Sequence, residues 1–180
     1  MKYVINIKDL YFGYDNNKVL KGISVNICNG QLYALFGPNG SGKTTLLKCI
    51  AGFLTYKRGT IMVMGKTIKE LRPKELSRYI SYVPQEHKLS FPFTVEEIVL
   101  MGRTPYLGGF SGPSDEDIKY TNDAIKRVGI ENIVNRSYTE LSGGQRQLVL
   151  IARAIAQDTP IVVMDEPTSA LDLKFSKPSF

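Results

Sequence analysis

The stretch at residues 37–45, GPNGSGKTT, constrains the fold of this chain more than any other. Gly37, Gly42, Lys43 and Thr44 occupy every fixed position of the phosphate-loop pattern G-x-x-x-x-G-K-S/T. In that pattern, glycines let successive backbone N–H groups turn inward around phosphate oxygens. The stretch therefore predicts a phosphate-binding loop.

The flanks of this loop supply the context that it needs. Residues 32–36 are apolar and predict a buried strand that enters the loop. Behind the loop, apolar side chains recur at helical spacing: Leu46, Leu47, Ile50 and Leu54. A strand, a loop and a helix in this order place the positive end of a helix dipole at the phosphates, together with the charge of Lys43. A nucleotide is therefore the expected ligand.

Length and composition narrow the class of protein. A chain of 180 residues is long enough for one domain with a good core and short for two. No apolar run approaches the roughly 20 residues that cross a bilayer, and the first residues lack a signal-peptide pattern, so we expect a cytoplasmic protein. The net charge of +6 is spread along the chain, which favours a solvated surface over nucleic-acid binding. Cys28 and Cys49 are interpreted as packing residues.

Strands are predicted on both sides of the phosphate loop. Residues 3–27 alternate as an antiparallel hairpin, in which Tyr14 could stack on a purine as readily as on a neighbouring side chain. Further strands are predicted at residues 60–64 and 80–83, with a short helix opening at Pro73 between them. Gln85 follows the second of these strands, at the edge where open α/β sheets hold ligands.

Residues 88–137 predict helices without strands, and we interpret them as a helical subdomain inserted into a nucleotide-binding core. Two capping boxes start its helices, Thr94 with Glu97 and Ser114 with Asp117. The second helix has a predicted buried face of Ile118, Thr121, Ile125 and Val128. Glycines and prolines at residues 102–113 predict an exposed, adaptable loop between the helices.

A second glycine-rich helix start, LSGGQ at residues 141–145, follows this block. Its helix has a predicted apolar face of Leu148, Ile151, Ala152 and Ile155. The hydroxyl of Ser142 and the backbone N–H groups beside it are suited to an anion. Residues 161–164 then predict a buried parallel strand, which ends in Asp165 and Glu166 and so delivers two carboxylates to a ligand edge.

In order and spacing these motifs resemble the ATP-binding-cassette family. The resemblance includes the phosphate loop, Gln85, LSGGQ, residues 161–166 and the SALD segment at residues 169–172. LSGGQ upstream of an apolar strand that ends in Asp-Glu is specific to that family. The resemblance implies an α/β fold with a P-loop NTPase core of mostly parallel strands and flanking helices. It also implies an N-terminal antiparallel β subdomain and one cassette over residues 1–180 that is incomplete at its C-terminus.

The resemblance further implies that ATP and Mg²⁺ bind, and it gives each motif residue a role. Lys43 would hold the β and γ phosphates, and Glu166 would polarise the attacking water. Thr44 and Gln85 would ligate Mg²⁺, with Asp165 holding it through water. Gln85 thereby joins Lys43 and Glu166 in the predicted catalytic set. The other implied nucleotide contacts are Tyr14 on the adenine and, in the loop, Gly37, Pro38, Asn39, Gly40, Ser41, Gly42 and Thr45.

The LSGGQ segment has a role in dimers of this family. Two cassettes pair head to tail, so this segment would face the γ phosphate that the phosphate loop of the other subunit binds. The facing residues would be Ser142, Gly143, Gly144 and Gln145. Asp172 of the SALD segment would lie at that interface. The resemblance therefore implies a homodimer that ATP holds together.

One subgroup of the family is the most similar. The run VLMGRTPYL at residues 99–107, with LSGGQRQLVLIARAIAQ after it, resembles cassettes that power import of iron-siderophore, haem or cobalamin. This implies an ATPase that drives uptake of a metal chelate from the cytoplasmic face of the membrane. Permease subunits and, indirectly, a substrate-binding protein would be its partners, and no nucleic acid is expected.

The chain departs from the family pattern in its last residues. A complete cassette continues with a strand that ends in a switch histidine, whereas His87 lies in the wrong segment for that role and is interpreted as a surface residue. The tail KFSKPSF at residues 174–180 disfavours the expected helix. We therefore expect a truncated or frame-shifted cassette with apolar surface exposed on residues 161–164.

Two alternatives to an active importer subunit follow from the same residues. The first is a truncated cassette that binds nucleotide without productive hydrolysis. The second is a non-transport cassette that acts on nucleic acid or the ribosome. Such proteins usually carry coiled-coil insertions or a second cassette, and neither pattern occurs in this sequence.

Overall fold

The computed structural model describes residues 3–15, 17–85, 91–108 and 112–166. These residues form two compact units, one from the chain up to Tyr82 with Gln157–Asp165, the other from Val83–Ala156 with Glu166. No helix in this described part is both long enough and apolar enough to cross a membrane. His87, the SALD segment with Asp172, and the tail at residues 174–180 lie outside the described residues.

An antiparallel sheet forms much of the first unit. Strand β1 (Tyr3–Tyr14) pairs with β2 (Asn17–Cys28) and with β3 (Arg58–Val63), and β3 pairs with β4 (Lys66–Thr67). Alternate apolar side chains of the sheet are buried in the core: Ile5, Ile7, Leu10, Ile61 and Val63. The predicted N-terminal hairpin is confirmed.

Helix α1 (Lys43–Ile50) follows the phosphate loop and packs into the same core. Leu46, Cys49 and Ile50 are buried, which confirms the packing role of Cys49, while Cys28 is half-buried. Leu54, predicted on the same helical face, lies past the end of α1. Helix α2 (Pro73–Leu76) begins at Pro73 as predicted.

The buried strand predicted at residues 32–36 is wrong. Residues 31–38 form no strand, and the side chains of Leu32 and Phe36 are 96% and 90% exposed. A run of apolar residues becomes a buried strand only where neighbouring strands supply hydrogen bonds and cover both faces. In the described part of the chain, neither sheet includes a strand at these residues.

A two-stranded sheet lies in the first unit except for Val83. It consists of β5 (Ile80–Val83) and β6 (Ile161–Met164), at the positions that the sequence predicts. Strand β6 is buried on one face only, because Ile161 and Val163 enter the core while Val162 and Met164 are 47% and 37% exposed. The predicted strand is therefore present but buried on one face only, and exposed apolar surface on it was expected.

The described residues of the second unit include the helices α3 (Val95–Leu100), α4 (Asp115–Val128) and α5 (Gly143–Ala156). Their contacts bury an apolar core that includes Val95, Ile98, Val99, Ala124, Ile125, Val149 and Leu150. Both predicted capping boxes are confirmed. The hydroxyls of Thr94 and Ser114 accept hydrogen bonds from the N–H groups of Glu97 and Asp117.

The buried face of α4 differs by one position from the prediction. Ile118 is 44% exposed, whereas Asp117, Thr121, Ala124 and Ile125 are buried. A buried charge pair explains this difference. Nε of Arg103 donates to Oδ1 of Asp117 at 2.9 Å and holds that carboxylate on the inner face of α4. Periodicity of apolar residues cannot reveal a buried charge pair.

The described residues of the predicted loop, 102–108 and 112–113, are exposed only in part, contrary to prediction. Met101–Arg103 form a 3-10 turn in which Gly102 and Arg103 are buried. The guanidinium of Arg103 lies 4.1 Å from the ring centroids of both Tyr106 and Tyr120, and its Nη1 donates to the carbonyl of Ala156 at 2.9 Å. One arginine therefore ties the start of this segment to α4 and α5.

Candidate functional site

The phosphate loop at residues 37–42 is an exposed turn in front of α1. Gly40 and Gly42 have φ angles of +78° and +95°, in the left-handed region that favours glycine. A Cβ atom at Gly42 would also lie 3.0 Å from Val19 Cγ1 and 3.1 Å from Leu20 Cδ2. Glycine is therefore needed at position 42 both for the backbone turn and for the close approach of β2.

The N-terminus of α1 has no side-chain cap, and its first turn contains no acidic residue. Its first N–H groups and the positive end of the helix dipole are suited to an anion. Nζ of Lys43 donates to the carbonyls of Gly37 at 2.8 Å and Pro38 at 3.0 Å, so the ammonium lies against its own loop. Phosphate oxygens are charged acceptors and would form stronger hydrogen bonds with this ammonium.

The first turn of α1 meets the carboxylate that follows β6. Oγ1 of Thr44 donates to Oδ1 of Asp165 at 2.8 Å, and the hydroxyl of Tyr82 donates to Oδ2 at 3.0 Å. Asp165 is 3% exposed. The structure thus brings two residues of the predicted metal set, Thr44 and Asp165, into direct contact.

The charge of Asp165 is hydrogen-bonded but not neutralised. Both of its donors are hydroxyl groups, and no ion pair joins it to a basic side chain of the described residues. Burial raises the pKa of Tyr82, and the charge of Asp165 with its hydrogen bond raises it further, so the phenol stays protonated. Hydroxyl and carboxylate oxygens are the donors that Mg²⁺ prefers, with phosphates as further ligands. The residues present therefore fit Mg²⁺.

Sequence analysis missed Tyr82 because it predicted only a strand over residues 80–83 and gave no role to this side chain. A signal was available, since the hydroxyl of a partly buried tyrosine usually finds a hydrogen-bond partner. The partner, Asp165, is 83 residues away along the chain. Only the pairing of β5 with β6 brings the two residues together.

In the second unit, the predicted residues Gln85 and Glu166 also contact each other. Nε2 of Gln85 donates to Oε2 of Glu166 at 2.6 Å, and both side chains are exposed. Glu166 has a φ angle of +46°, which costs a residue other than glycine about 1–3 kcal/mol. Strained backbone of this kind clusters at functional sites. The amide predicted to ligate a metal thus holds the carboxylate predicted to polarise water.

The LSGGQ segment caps its own helix. The N–H of Ser142 donates to Oε1 of Gln145 at 3.1 Å, and the N–H of Gln145 donates to Oγ of Ser142 at 3.3 Å. This reciprocal pair is a capping box, which the spacing S-x-x-Q could have revealed. Gly143 and Gly144 form the first turn of α5 between them. The N-terminus predicted to bind an anion therefore already has one of its N–H groups bonded to a side chain.

Tyr14 lies at the end of β1 and is 48% exposed. Its ring meets Phe12 edge to face, with 5.0 Å between the ring centroids. The exposed part of the ring is consistent with stacking on a purine, and that role stays a prediction.

Comparison with known proteins adds to this geometry. Residues 20–169 match a family model described as ABC transporter. A protein of Helicobacter pylori named "Probable iron chelatin transport ATP-binding protein" is 41% identical over 172 residues, which are 95% of this chain and 68% of that protein. The cobalamin import ATP-binding protein BtuD of Halobacterium salinarum is 41% identical over 156 residues, 87% of this chain and 39% of that protein.

A solved structure is similar over nearly the whole chain. It is described as an inward-facing conformation of a metal-chelate type ABC transporter, with a TM-score of 0.81 and 35% sequence identity. The match covers 96% of this chain and 63% of that chain, so the present chain spans less than two thirds of its length. The predicted α/β P-loop NTPase fold is confirmed.

Proposed function

The chain belongs to the ABC transporter family, and on that premise we propose that it is the ATP-binding subunit of an importer for a metal chelate such as an iron-siderophore, haem or cobalamin. ATP-binding subunits of this family hydrolyse ATP to power transport. The observation that carries the ATP-dependent role is the 2.8 Å hydrogen bond between Thr44 and Asp165. It joins the phosphate loop to a buried carboxylate that has no cationic partner among the described residues.

We assign the steps at the site to this chain's own residues. Lys43 and the N–H groups at the start of α1 bind the β and γ phosphates of the substrate ATP. Thr44, Asp165 and Gln85 would hold Mg²⁺, which when bound offsets the negative charge that develops on the phosphates. Glu166 accepts a proton from the attacking water, as a general base at the end of β6. Tyr14 stacks on the adenine.

The importer class rests on similarity. The relatives named for iron chelatin transport and cobalamin import support uptake of a metal chelate, as does the metal-chelate type transporter among the solved structures. In this proposal the chain is one nucleotide-binding domain with a helical subdomain at residues 88–137. It binds permease subunits at the cytoplasmic face of the membrane, and a substrate-binding protein acts with them indirectly.

The proposal also includes a head-to-tail homodimer. Ser142, Gly143, Gly144 and Gln145 would then face the γ phosphate bound by the second copy. Because Ser142 and Gln145 cap α5, binding of that phosphate would compete with a hydrogen bond already present. Because each γ phosphate would lie between the phosphate loop of one copy and the LSGGQ segment of the other, closure of the dimer would depend on ATP.

Thermal unfolding with and without Mg-ATP tests the nucleotide-binding part. A ligand at about 100 times its Kd stabilises a protein by about 2.7 kcal/mol. We expect Lys43→Ala to remove most of this stabilisation and Lys48→Ala, in the last turn of α1, to retain it. Absence of any stabilisation of the wild-type chain by Mg-ATP would overturn the proposed function.

Turnover and assembly test the remaining parts. Glu166→Gln should bind Mg-ATP without hydrolysing it and accumulate as a dimer in size-exclusion chromatography. Stabilisation of the wild type without turnover would reduce the proposal to nucleotide binding. Vesicles that contain a candidate permease and this chain should take up labelled chelate with ATP, and Lys43→Ala vesicles should not.

A further inference from the structure

The proposed metal-binding carboxylate is held from two directions. Thr44 donates to Oδ1 of Asp165, and the hydroxyl of Tyr82 donates to Oδ2. A carboxylate can rotate about its Cβ–Cγ bond, but donors on different oxygens fix that rotation. The two hydrogen bonds together therefore decide which lone pairs of Asp165 remain for another ligand.

The ring of Tyr82 is itself braced. It meets Phe53 edge to face, with 5.1 Å between the centroids and 83° between the ring planes. The N–H of Phe53 donates to the carbonyl of Lys48 at 2.9 Å, which ties Phe53 to the last turn of α1. Helix α1 carries Thr44 at its start. Through Phe53, three residues past its end, it also positions Tyr82, which donates to the other oxygen of Asp165.

The type of donor matters as much as its place. A lysine or arginine at this position would neutralise Asp165 and compete with a metal ion. The hydroxyl of Tyr82 orients the carboxylate and leaves its charge intact. Partners that orient a metal-ligating group in this way typically affect metal affinity about 10–100-fold.

We propose that Tyr82 is a positioning residue for metal binding, which holds Oδ2 of Asp165 so that the carboxylate keeps one orientation toward Thr44 and the metal ion that accompanies the nucleotide. This inference rests on the proposed function. It adds a residue that none of the predicted roles uses. Tyr82 acts through Asp165 and has no assigned contact with the nucleotide.

Tyr82→Phe tests the inference, with Tyr79→Phe as its matched control. Tyr79 lies just before β5, and its hydroxyl accepts a hydrogen bond from Lys66 instead of contacting Asp165. Free Mn²⁺ is measured by electron paramagnetic resonance during titration of each protein saturated with the non-hydrolysable analogue AMP-PNP. We expect the Kd for Mn²⁺ to rise about 10-fold in Tyr82→Phe and to stay unchanged in Tyr79→Phe.

Two further measurements separate positioning from structural support. Binding of AMP-PNP in EDTA should be the same in all three proteins. The Mg²⁺ concentration for half-maximal turnover should rise in Tyr82→Phe, and saturating Mg²⁺ should restore turnover. Phe53→Leu, at a 63% exposed position, loosens the ring without removing the hydroxyl and should raise the Kd for Mn²⁺ by a smaller factor.

The outcomes distinguish this inference from the proposed function. If the wild type fails to bind Mn²⁺ with AMP-PNP, the proposed function and the inference both fall. If the wild type binds and Tyr82→Phe binds equally well, only the inference is overturned. Equal losses in Tyr82→Phe and Tyr79→Phe, or an equal loss of AMP-PNP binding in EDTA, would also overturn it by showing a structural role. Should Tyr82→Phe not fold, an unchanged Kd in Phe53→Leu decides against the inference.

Discussion

Two aspartates, one in each compact unit, are buried in different ways. Asp165 is 3% exposed and accepts hydrogen bonds from the hydroxyls of Thr44 and Tyr82. Asp117 is 6% exposed and has a cationic partner, with Oδ1 2.9 Å from Nε of Arg103 and Oδ2 2.7 Å from Oγ of Ser114. The first keeps an unpaired negative charge among the described residues, and the second is neutralised.

This difference separates a structural carboxylate from one that is suited to a ligand. A buried charge normally carries its own counter-charge, because desolvation is costly without one. Asp117 follows this rule and fixes the start of α4. Asp165 has no counter-charge among the residues that the structure describes, and a metal ion would supply one. The predictions below test this contrast from the largest expected effect to the smallest.

The largest effect is expected in the unfolding free energy without ligand. Asp117→Asn leaves Arg103 buried without a carboxylate and should cost about 2 kcal/mol. Asp165→Asn removes a buried charge that has no cation, and its amide oxygen can still accept from one hydroxyl, so the change should stay within about 1 kcal/mol. Urea denaturation without nucleotide measures both. An equal loss of unfolding free energy in the two variants would contradict the distinction between a structural Asp117 and a ligand-binding Asp165.

The two variants should differ in the opposite order in the stabilisation that they gain from Mg-ATP. Asp117→Asn should keep the stabilisation that the wild type gains from Mg-ATP. Asp165→Asn should lose about 1.4 kcal/mol of it, which corresponds to a tenfold weaker affinity. Thermal unfolding at a fixed ligand concentration gives both values. If Asp165→Asn retains the full gain, Asp165 does not hold the metal ion.

The sequence predicted those features of this contrast that depend on neighbours along the chain. The capping box of Ser114 and Asp117 spans four residues, and the phosphate loop with its helix spans residues 37–50. In both patterns, residue type and spacing predict the local structure. The position of Asp165 at the end of an apolar strand was also predicted from the sequence.

The features that sequence analysis missed depend on residues far apart in the chain. Tyr82 meets Asp165 across 83 residues, and Arg103 meets Ala156 across 53. The strand predicted at residues 32–36 was wrong for the same reason, because a strand requires neighbours that its own residues do not specify. The local sequence pattern therefore predicted the secondary-structure propensity of each segment but not the distant residues that it contacts.

A smaller effect on the structural side is expected from Arg103→Lys. Lysine keeps the positive charge, but it has no planar fork that can reach Asp117 and the carbonyl of Ala156 while lying between Tyr106 and Tyr120. We expect a loss of about 1 kcal/mol in urea denaturation, with the Mg-ATP gain unchanged. A variant as stable as the wild type would show that charge alone holds Asp117.

The smallest effect is the dependence of stability on pH. Hydrogen bonds from Ser114, followed by that from Arg103, hold the pKa of Asp117 below its usual range. A carboxyl whose pKa is lower in the folded state stabilises the fold above its unfolded pKa of about 3.9. That contribution is lost as the pH falls through the lower folded value.

The stability of the wild type should therefore decline more steeply below about pH 4 than that of Asp117→Asn, which has no proton to take up at this position. Urea denaturation from pH 6 down to the acid limit of the fold measures both slopes. Parallel curves would mean that Asp117 contributes no more to acid stability than an exposed carboxylate. They would contradict the interpretation that Asp117, unlike Asp165, stabilises the fold through its charge.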